Sequence, residues 1–231
     1  MKKIVVLTGA GMSAESGINT FRDAGGLWEQ HRVQDVATPE GWHRNTQLVL
    51  DFYNERRKQL LAAKPNVGHI TLAELEKQYD VRIVTQNVDN LHEQAGSSHV
   101  THLHGELMKV RSSGPGEEVF NLTPDSYETH LGDKCPKGYQ LRPHIVWFGE
   151  AVPEIESAID MVSIADILVI IGTSMQVYPA AGLINYAKPG IPIYLIDPQD
   201  VNVPAKNIHV IKKGASEGMK ELKEILDCPA T

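Results

Sequence analysis

The chain has 231 residues, enough for one full domain or for one large and one small lobe around a buried core. Hydrophobic residues make up 42% and charged residues 22%, and no apolar run approaches the roughly 18 residues that a membrane span needs. Asp and Glu outnumber Lys and Arg by 29 to 22, opposite to the basic surface of a general nucleic-acid binder. The composition therefore predicts a soluble globular protein whose partner is neither a nucleic acid nor a membrane.

The cysteine content gives an indication of the cellular location. Cys135 and Cys228 are the only two cysteines of the sequence, too few for a disulfide framework or for a four-thiolate zinc site. The apolar start of the chain is similar to a secretory leader, but it ends at Thr8 and continues into glycines, so we interpret it as a first strand. Both observations favour a reducing, cytoplasmic location.

Short β-branched runs alternate with helical patterns, which predicts an α/β fold: a Rossmann-like parallel-sheet large domain with a smaller inserted lobe. Its ligand site is expected beyond the carboxyl ends of the strands. The clearest helix is the last, where Met219, Leu222 and Leu226 form one apolar stripe. The predicted strands are Ile4–Leu7, Val81–Thr85, His144–Phe148, Ile167–Ile171, Ile193–Ile196 and Ile208–Ile211.

Two segments interrupt the alternation. Residues 39–63 have the pattern of one long helix with a basic middle, and residues 108–142 are polar, rich in Gly and Pro, and without a sustained period. We expect these two segments to form the small lobe. The large domain then comprises residues 1–38, 64–107 and 143–231.

The first strand is followed by Gly9, Ala10, Gly11 and Ala14 in a G-x-G-x-x-A pattern, typical of a turn that approaches a pyrophosphate. A tight turn that binds no ligand is the alternative. A dehydrogenase would continue with a second strand ending in an acidic residue. Instead, residues 17–28 form a glycine-rich, loop-like segment, which favours a bound dinucleotide without hydride transfer.

Polar residues follow several predicted strands. Gln86, Asn87 and Asp89 come after the second strand, Gly172-Thr173-Ser174 after the run at 167–171, and Asp197 after the run at 193–196. Such residues suit the ribose and amide groups of a nucleotide, although ordinary helix caps explain each one singly.

Three histidines, His99, His102 and His104, lie close together in the sequence. A metal site is one reading, but no carboxylate or thiolate is spaced to complete a zinc shell. A general base is favoured for one of them, with structural roles for the others.

Taken together, these motifs resemble the sirtuins, the NAD-dependent protein lysine deacylases, over nearly the whole chain. The matching motifs, in order, are residues 9–17, Phe21-Arg22-Asp23, Gln86-Asn87-Val88-Asp89, His104-Gly105-Glu106, residues 146–150 and Gly172-Thr173-Ser174.

The resemblance implies that NAD is consumed as a co-substrate and that nicotinamide and O-acyl-ADP-ribose are released. His104 would be the general base, and Asn87 would be catalytic while lining the nicotinamide pocket with Asp89. Acyl-lysine proteins or peptides would be the partners, bound as an extra strand in the cleft between the lobes. Further NAD contacts would be Gly9, Ala10, Gly11, Ala14, Phe21, Arg22, Trp28, Gln86, Gly172, Thr173, Ser174, Asp197 and Ala215, and substrate contacts would be Val146, Phe148 and Gly149.

The inserted helix carries Tyr53 and Arg56, three residues apart and therefore on one helical face. This Tyr-x-x-Arg pattern is similar to that of sirtuins that accept succinyl or malonyl groups, so we expect these acyl groups to be removed as well as acetyl. The alternative is a solvated basic face, because Arg56, Arg57 and Lys58 are consecutive. Protein ADP-ribosylation and non-catalytic NAD binding are the competing functions.

The sequence departs from the family at two places. Sirtuins usually carry two C-x-x-C pairs for structural zinc, but here the first is replaced around Arg111–Gly114 and the second is reduced to Cys135–Gly138. We therefore expect no zinc. Asp197 stands where many sirtuins have Asn.

Overall fold

The computed structural model describes residues 1–18, 31–201 and 208–228. Its strands form two separate sheets, one parallel and one antiparallel. The strands are β1 (Lys3–Thr8), β2 (Asp80–Thr85), β3 (Val100–His102), β4 (Gly105–Ser112), β5 (Val119–Asn121), β6 (Leu141–Ile145), β7 (Ile167–Ile171), β8 (Ile193–Ile196) and β9 (Ile208–Ile211).

Helices cover both faces of the parallel sheet and one side of the antiparallel sheet. Within the described ranges, no helix has the length and apolar character to cross a membrane. The helices are α1 (Gly11–Ala14), α2 (Val33–Val36), α3 (Pro39–Arg44), α4 (Thr46–Ala62), α5 (Val67–Leu75), α6 (Leu91–Gln94), α7 (Ile155–Ser163) and α8 (Ala215–Asp227), with a 3₁₀ helix at Ala180–Tyr186.

The parallel sheet has the strand order β3-β2-β1-β7-β8-β9. From β1 the chain first builds β2 and β3 on one side and later β7, β8 and β9 on the other. In such a doubly wound sheet the crevice lies where the strand order reverses, here at the carboxyl ends of β1 and β7. The predicted α/β fold is confirmed.

Strand β1 shows why the sheet is buried on both sides. Successive side chains of a strand point to opposite faces. Ile4 and Val6 pack against α5 and α8, whereas Val5 and Leu7 pack against α7 and the 3₁₀ helix. All four are nearly inaccessible to solvent. Apolar residues at every position are what a central parallel strand requires.

One predicted strand was assigned to the wrong sheet. The segment predicted as His144–Phe148 is β6, Leu141–Ile145, and it pairs antiparallel with β4 in the order β5-β4-β6. Val146 N still donates to His104 O at 3.0 Å, next to the Gly105–Ile145 pair, but Phe148 N donates instead to Ala37 O at 3.0 Å, outside this sheet. Strands β4 and β5 also lie largely in the segment for which no period was found.

The predicted long helix at 39–63 is two helices, α3 and α4. They separate at Asn45, whose backbone is non-helical and whose side chain accepts a hydrogen bond from Leu48 N at 3.1 Å. Asn is a preferred N-cap because it satisfies a free backbone N–H. Helix α4 then packs against Leu107 of β4 and Ile145 of β6. We call α4 together with β4, β5 and β6 the small lobe.

Candidate active site

The turns that follow β1 and β7 are packed directly against each other. Gly9 N donates to Ile171 O at 3.0 Å, and Gly11 N donates to Gly172 O at 2.9 Å. A Cβ on Gly9 would lie 2.7 Å from the oxygen of Gly172, and Gly172 itself has a φ of +60°. The approach of the two turns therefore requires glycine at these positions, whether or not a pyrophosphate binds there.

A pocket opens beside these turns. Its walls include Ala10, Ser13, Asn87, Asp89 and Arg56. The structure thus brings the predicted nicotinamide residues together with one residue of the predicted acyl site. Ser13 had no predicted role beyond its place in the glycine motif, yet its hydroxyl donates to Asp89 Oδ2 at 2.9 Å and accepts from Asn87 Nδ2 at 3.1 Å.

The polar groups of this pocket are oriented by internal hydrogen bonds. Asn87 Nδ2 donates to Gly9 O at 3.0 Å as well as to Ser13, so both amide hydrogens are used, and Oδ1 is an acceptor that suits a ligand N–H. Burial raises the pKa of the Asp89 carboxyl, while hydrogen bonds from Leu91 N and Ser13 and the charge of Arg56 oppose that rise. An acceptor oxygen beside a carboxyl suits a carboxamide such as that of nicotinamide.

His104 lies in the turn between β3 and β4, and its Nδ1 is 3.1 Å from Gln86 O. A carbonyl can only accept, so Nδ1 carries the hydrogen and Nε2 holds the free lone pair. Burial lowers the pKa of His104, with the Gln86 hydrogen bond opposing. The imidazole is therefore neutral at pH 7, with a nitrogen available to take up a proton.

The other two histidines differ from His104. His102 Nδ1 is 3.0 Å from Asn87 O and its Nε2 is 2.8 Å from Glu93 Oε1, so its ring holds the segment that carries Asn87. His99 is exposed. In the described ranges, no cluster of three or more His, Cys, Asp or Glu side chains is arranged to hold a metal ion.

The remaining predicted cofactor residues are spread more widely. Gln86 Nε2 donates to Thr173 Oγ1 at 3.0 Å, which joins the ends of β2 and β7. Asp197 is buried at the end of β8, where its Oδ1 accepts from Gln199 N at 2.8 Å. Three others do not line the pocket, because Ala14 and Ser174 are exposed and Ala215 begins α8 in the core. Phe21, Arg22 and Trp28 lie outside the described residues.

The Tyr-x-x-Arg pair is buried, so the solvated basic face was the wrong alternative for Arg56 and Arg57. Tyr53 is 3% exposed, Arg56 7% and Arg57 0%, whereas Lys58 is exposed. Arg56 lines the pocket beside the glycine turns and also a neighbouring groove along α4. Tyr53 lies one helical turn behind it and lines neither cavity. Its hydroxyl oxygen accepts a hydrogen bond from Trp147 Nε1 at 3.1 Å.

The predicted peptide-contact segment, residues 146–150, forms a turn that is stabilised by hydrogen bonds between Trp147 and Glu150. Glu150 Oε2 accepts from Trp147 N at 2.7 Å, and Glu150 N donates to Trp147 O at 3.0 Å. Gly149 adopts a φ of +92°, and Phe148 is 47% exposed at the tip. Val146 is bound to His104 through its backbone N–H. The exposed ring of Phe148 is therefore two residues from Val146, whose backbone N–H bonds to His104, the candidate base.

The structure also shows what replaces the zinc ligands of the family. Ser112 Oγ lies 3.3 Å from Cys135 Sγ, so the two degenerate C-x-x-C segments do meet. A neutral hydroxyl beside a single thiol lacks the four N or S ligands of a structural zinc site. Nearby, the Glu150 carboxylate accepts from Arg142 Nη1 at 2.8 Å and from Arg111 Nη2 at 3.2 Å. These residues do not fit zinc.

Comparisons with known proteins agree with the geometry. The profile of the Sir2 family matches residues 9–179. An NAD-dependent protein deacylase of Bacteroides thetaiotaomicron is 62% identical over 230 residues, 98% of each chain, and one of Helicobacter pylori is 54% identical over 223 residues, 96% of each chain. A Sir2 homolog–NAD complex has a TM-score of 0.88 at 39% identity, covering 97% of this chain and 89% of the other. A Sir2–p53 peptide–NAD⁺ complex has a TM-score of 0.79 at 29% identity, covering 96% and 92%.

Proposed function

The chain belongs to the Sir2 family, and we propose that it removes acyl groups from lysine side chains of proteins with NAD as co-substrate. The observation that carries the proposal is His104, a neutral imidazole held by Gln86 O beside the crevice, with Nε2 as its free basic nitrogen. A binding module has no need of such a base. Lysine deacylation is therefore favoured over simple NAD binding.

NAD, when bound, supplies a ribose carbon that becomes electrophilic as nicotinamide leaves. Asn87 and Asp89 present an acceptor oxygen and a carboxyl where the nicotinamide carboxamide needs partners, and Ser13 fixes the orientation of both side chains. His104 removes a proton from a ribose hydroxyl, the step that a base with a pKa below neutrality performs at pH 7. Gly9, Gly11 and Gly172 let the backbone come close to the diphosphate.

The acyl specificity is a finer part of the proposal. Arg56 stays charged although burial lowers its pKa, and its position on the pocket wall lets a guanidinium hold a terminal carboxylate through two hydrogen bonds. We infer that succinyl- or malonyl-lysine is accepted in addition to acetyl-lysine. Tyr53 stands beside Arg56 on the same helical face.

Three further expectations remain part of this proposal. The small lobe, with predicted segments 39–63 and 108–142, forms one wall of the peptide cleft, which is supported by the core that α4 shares with β4 and β6. Acyl-lysine peptides bind over Val146, Phe148 and Gly149. The protein works in the cytoplasm, which is supported by two cysteines that form no disulfide.

The test uses NAD and three peptides that differ only in the acyl group: acetyl, butyryl and succinyl. Nicotinamide release and peptide mass are followed together. Loss of the acyl mass is the expected result, gain of ADP-ribose would indicate the competing transferase, and no change would contradict catalysis. Succinyl and butyryl differ only by a carboxylate in place of a methyl group. The ratio of kcat/KM for the two peptides therefore reports on Arg56.

Arg56→Met should raise KM for the succinyl peptide by roughly tenfold to a hundredfold, since a hydrogen bond to a charged group contributes about 1.5 to 3 kcal/mol. The butyryl peptide should be much less affected. Lys58→Met is the matched control, because it removes a positive charge from the same helix at an exposed position. Equal losses on both peptides would mean that Arg56 only shapes the lobe.

A further inference from the structure

We propose that His102 is a positioning residue for NAD use: as a doubly protonated imidazolium it holds the backbone of Asn87 and thereby the pocket that Asn87 lines. The inference rests on the proposed function, because that function places Asn87 against nicotinamide. The sequence indicated only a structural role for His102.

Two neighbouring histidines hold two consecutive carbonyl groups. His104 Nδ1 lies 3.1 Å from Gln86 O, and His102 Nδ1 lies 3.0 Å from Asn87 O. A carbonyl oxygen can only accept, so both Nδ1 atoms carry a hydrogen. The two rings therefore fix the backbone that leads from β2 into the pocket.

The second ring nitrogen separates the two histidines. His102 Nε2 lies 2.8 Å from Glu93 Oε1, and an ionised carboxylate, like a carbonyl, can only accept. A neutral imidazole has a single N–H, so the two bonds of His102 together require the doubly protonated ring. His104 needs only its Nδ1 hydrogen for Gln86 O and stays neutral, as the role of a base requires.

The surroundings of His102 favour its charged state. Burial acts to lower the pKa of His102, but the hydrogen bond and the charge of Glu93 raise it overall, helped by Asn87 O and by the charge of Glu106. Burial also acts to raise the pKa of Glu93, but the hydrogen bond and the charge of His102 lower it overall, so the carboxylate is ionised. The imidazole is 7% exposed and Glu93 39%, so the ring meets its partners largely out of contact with water.

Three further ionisable groups act on this pair. Burial raises the pKa of Asp89, and the charge of His102 opposes that rise, so an ionised Asp89 also favours the imidazolium. Burial keeps the pKa of His92 well below its ordinary value, with the charge of His102 acting in the same direction, so His92 is neutral. Lys109 helps to keep Glu93 ionised. The positive ring of His102 is therefore balanced by carboxylates rather than opposed by a second imidazolium.

Loss of one proton from His102 would break its bond to Asn87 rather than its bond to Glu93. A hydrogen bond to a carboxylate is roughly twice as strong as one between neutral groups, so the remaining hydrogen stays on Nε2. The lone pair of Nδ1 then faces the lone pairs of Asn87 O, and the repulsion displaces a residue that lines the pocket. Activity should therefore be present below the raised pKa of His102 and decline as the pH rises through it.

The experiment uses two amide substitutions at position 102. The amide nitrogen of Asn stands near the place of Nδ1, and that of Gln near the place of Nε2. His102→Asn therefore keeps a donor for Asn87 O, whereas His102→Gln keeps only the donor for Glu93, and neither side chain titrates. We expect His102→Gln to raise KM for NAD and the inhibition constant of nicotinamide by roughly threefold to tenfold, and His102→Asn to change both by less than about twofold.

Glu93→Gln tests the proton directly and also covers the case in which a variant at position 102 does not fold. The Gln amide can donate to Nε2 of a neutral His102, which leaves the Nδ1 hydrogen on Asn87 O at any pH. The decline of kcat/KM for NAD between about pH 7 and 9 should therefore occur in the wild type and be absent in Glu93→Gln and in His102→Asn. Glu74→Gln, at an exposed position of α5, is the matched control and should keep the decline.

A measurement without turnover separates this inference from the proposed function. Nitrogen NMR shifts of the His102 ring, assigned by the signals that His102→Asn lacks, should show two protonated nitrogens at pH 7. A neutral ring, equal losses in His102→Asn and His102→Gln, or an unchanged decline in Glu93→Gln would overturn the inference alone. A wild type that deacylates no peptide, yet has a protonated His102 and binds NAD more weakly as the pH rises, would contradict the proposed function and support the inference.

Discussion

The parallel-sheet region and the small lobe bury different ionisable groups. Around the sheet, His69 and His92 are fully buried, and burial lowers the pKa of both, so they are neutral. In the small lobe, Arg57, Arg111 and Arg142 are buried as charges. A proton added to His69 or His92 should therefore destabilise the sheet region, whereas the small lobe needs the charges of its buried arginines and their partners. Protonation should disturb the sheet region first, and loss of a charge should disturb the lobe.

A second contrast concerns what each region contributes to function. In the proposed function, the base and the nicotinamide contacts follow strands of the parallel sheet, and the side chain of His104 is only half-buried there. In the lobe, Glu150, Arg142 and Trp147 hold the turn that carries the proposed peptide contacts. Activity and stability should therefore separate cleanly in variants of the sheet edge and remain coupled in variants of the lobe.

The largest expected effect is on activity alone. His104→Ala should lower kcat/KM by about 10² to 10⁴-fold, the usual contribution of a general base. The melting temperature should stay close to that of the wild type, because the half-buried side chain makes one hydrogen bond. His99→Ala, at the exposed position immediately before β3, is the control and should retain full activity. Activity of His104→Ala within a few-fold of wild type would rule out its role as base.

The same residue makes a prediction about pH. Because burial lowers the pKa of His104, the acidic limb of kcat/KM should fall below pH 6.5 rather than at it. The base is active when neutral, so activity is present above the folded pKa and is lost as the pH falls through it. An acidic limb centred above 6.5 would contradict the neutral imidazole described above.

Acid should destabilise the sheet region through His69. Burial lowers its pKa from 6.5 to about 4, although Glu15 and Glu93 oppose the shift. Between these values the unfolded chain binds a proton that the folded chain does not, so stability falls as the pH drops from 6.5 toward 4. The loss is roughly 3 kcal/mol for a shift of this size.

His69→Gln tests this directly. The His69 side chain accepts from Asn66 N in a capping box, and Gln also serves at that position. The variant should lose part of the dependence of unfolding free energy on pH between 4 and 6.5 while keeping its stability near pH 8. His130→Gln, an exposed substitution, is the control. An unchanged pH dependence in His69→Gln would show that other groups cause the acid sensitivity.

Removal of one charge should weaken the lobe. Burial acts to raise the pKa of Glu150, but hydrogen bonds from Arg142 and Trp147 N lower it overall, so the carboxylate stays charged at neutral pH. Glu150→Gln should cost about 2 kcal/mol of unfolding free energy, the scale of hydrogen bonds to a charged group. Glu128→Gln, where an exposed carboxylate lies 3.4 Å from His130 Nε2, should cost almost nothing. Similar costs for both would mean that the Arg–Glu–Arg cluster adds little.

The sequence predicted the parallel sheet better than the lobe, for physical reasons. Strands β1, β7 and β8 are apolar on both faces, a pattern that comes from local burial and is visible in any short window. The course of the chain after β6 is set instead by a distant partner, because Phe148 N donates to Ala37 O. Contacts over such separations leave no periodic signal. The same applies to the break at Asn45, where a single cap divides an otherwise helical stretch.

The sequence predicted those site residues that belong to a recognisable motif. Asn87, Asp89 and Arg56 do meet in one pocket, whereas the contacts of Ser13 with Asp89 and of Trp147 with Tyr53 join residues more than 70 positions apart in sequence. Arg111 and Arg142 could not be paired with Glu150 from the sequence, since any of many acidic residues could have served. A missing pair of cysteines was visible, but the ion cluster in its place was not.

The smallest expected effect concerns metal. Ser112 and Cys135 lie where the family usually has thiolates, and Arg111, Arg142 and Glu150 already join β4, β6 and the turn that follows β6. With these bonds in place, the lobe needs no ion to hold its strands. Incubation with a strong chelator should change neither the melting temperature nor kcat, measured beside a sirtuin that has both cysteine pairs. Stoichiometric zinc in the purified protein, or a chelator-induced fall in stability as large as that of Glu150→Gln, would show that the cluster does not replace the metal.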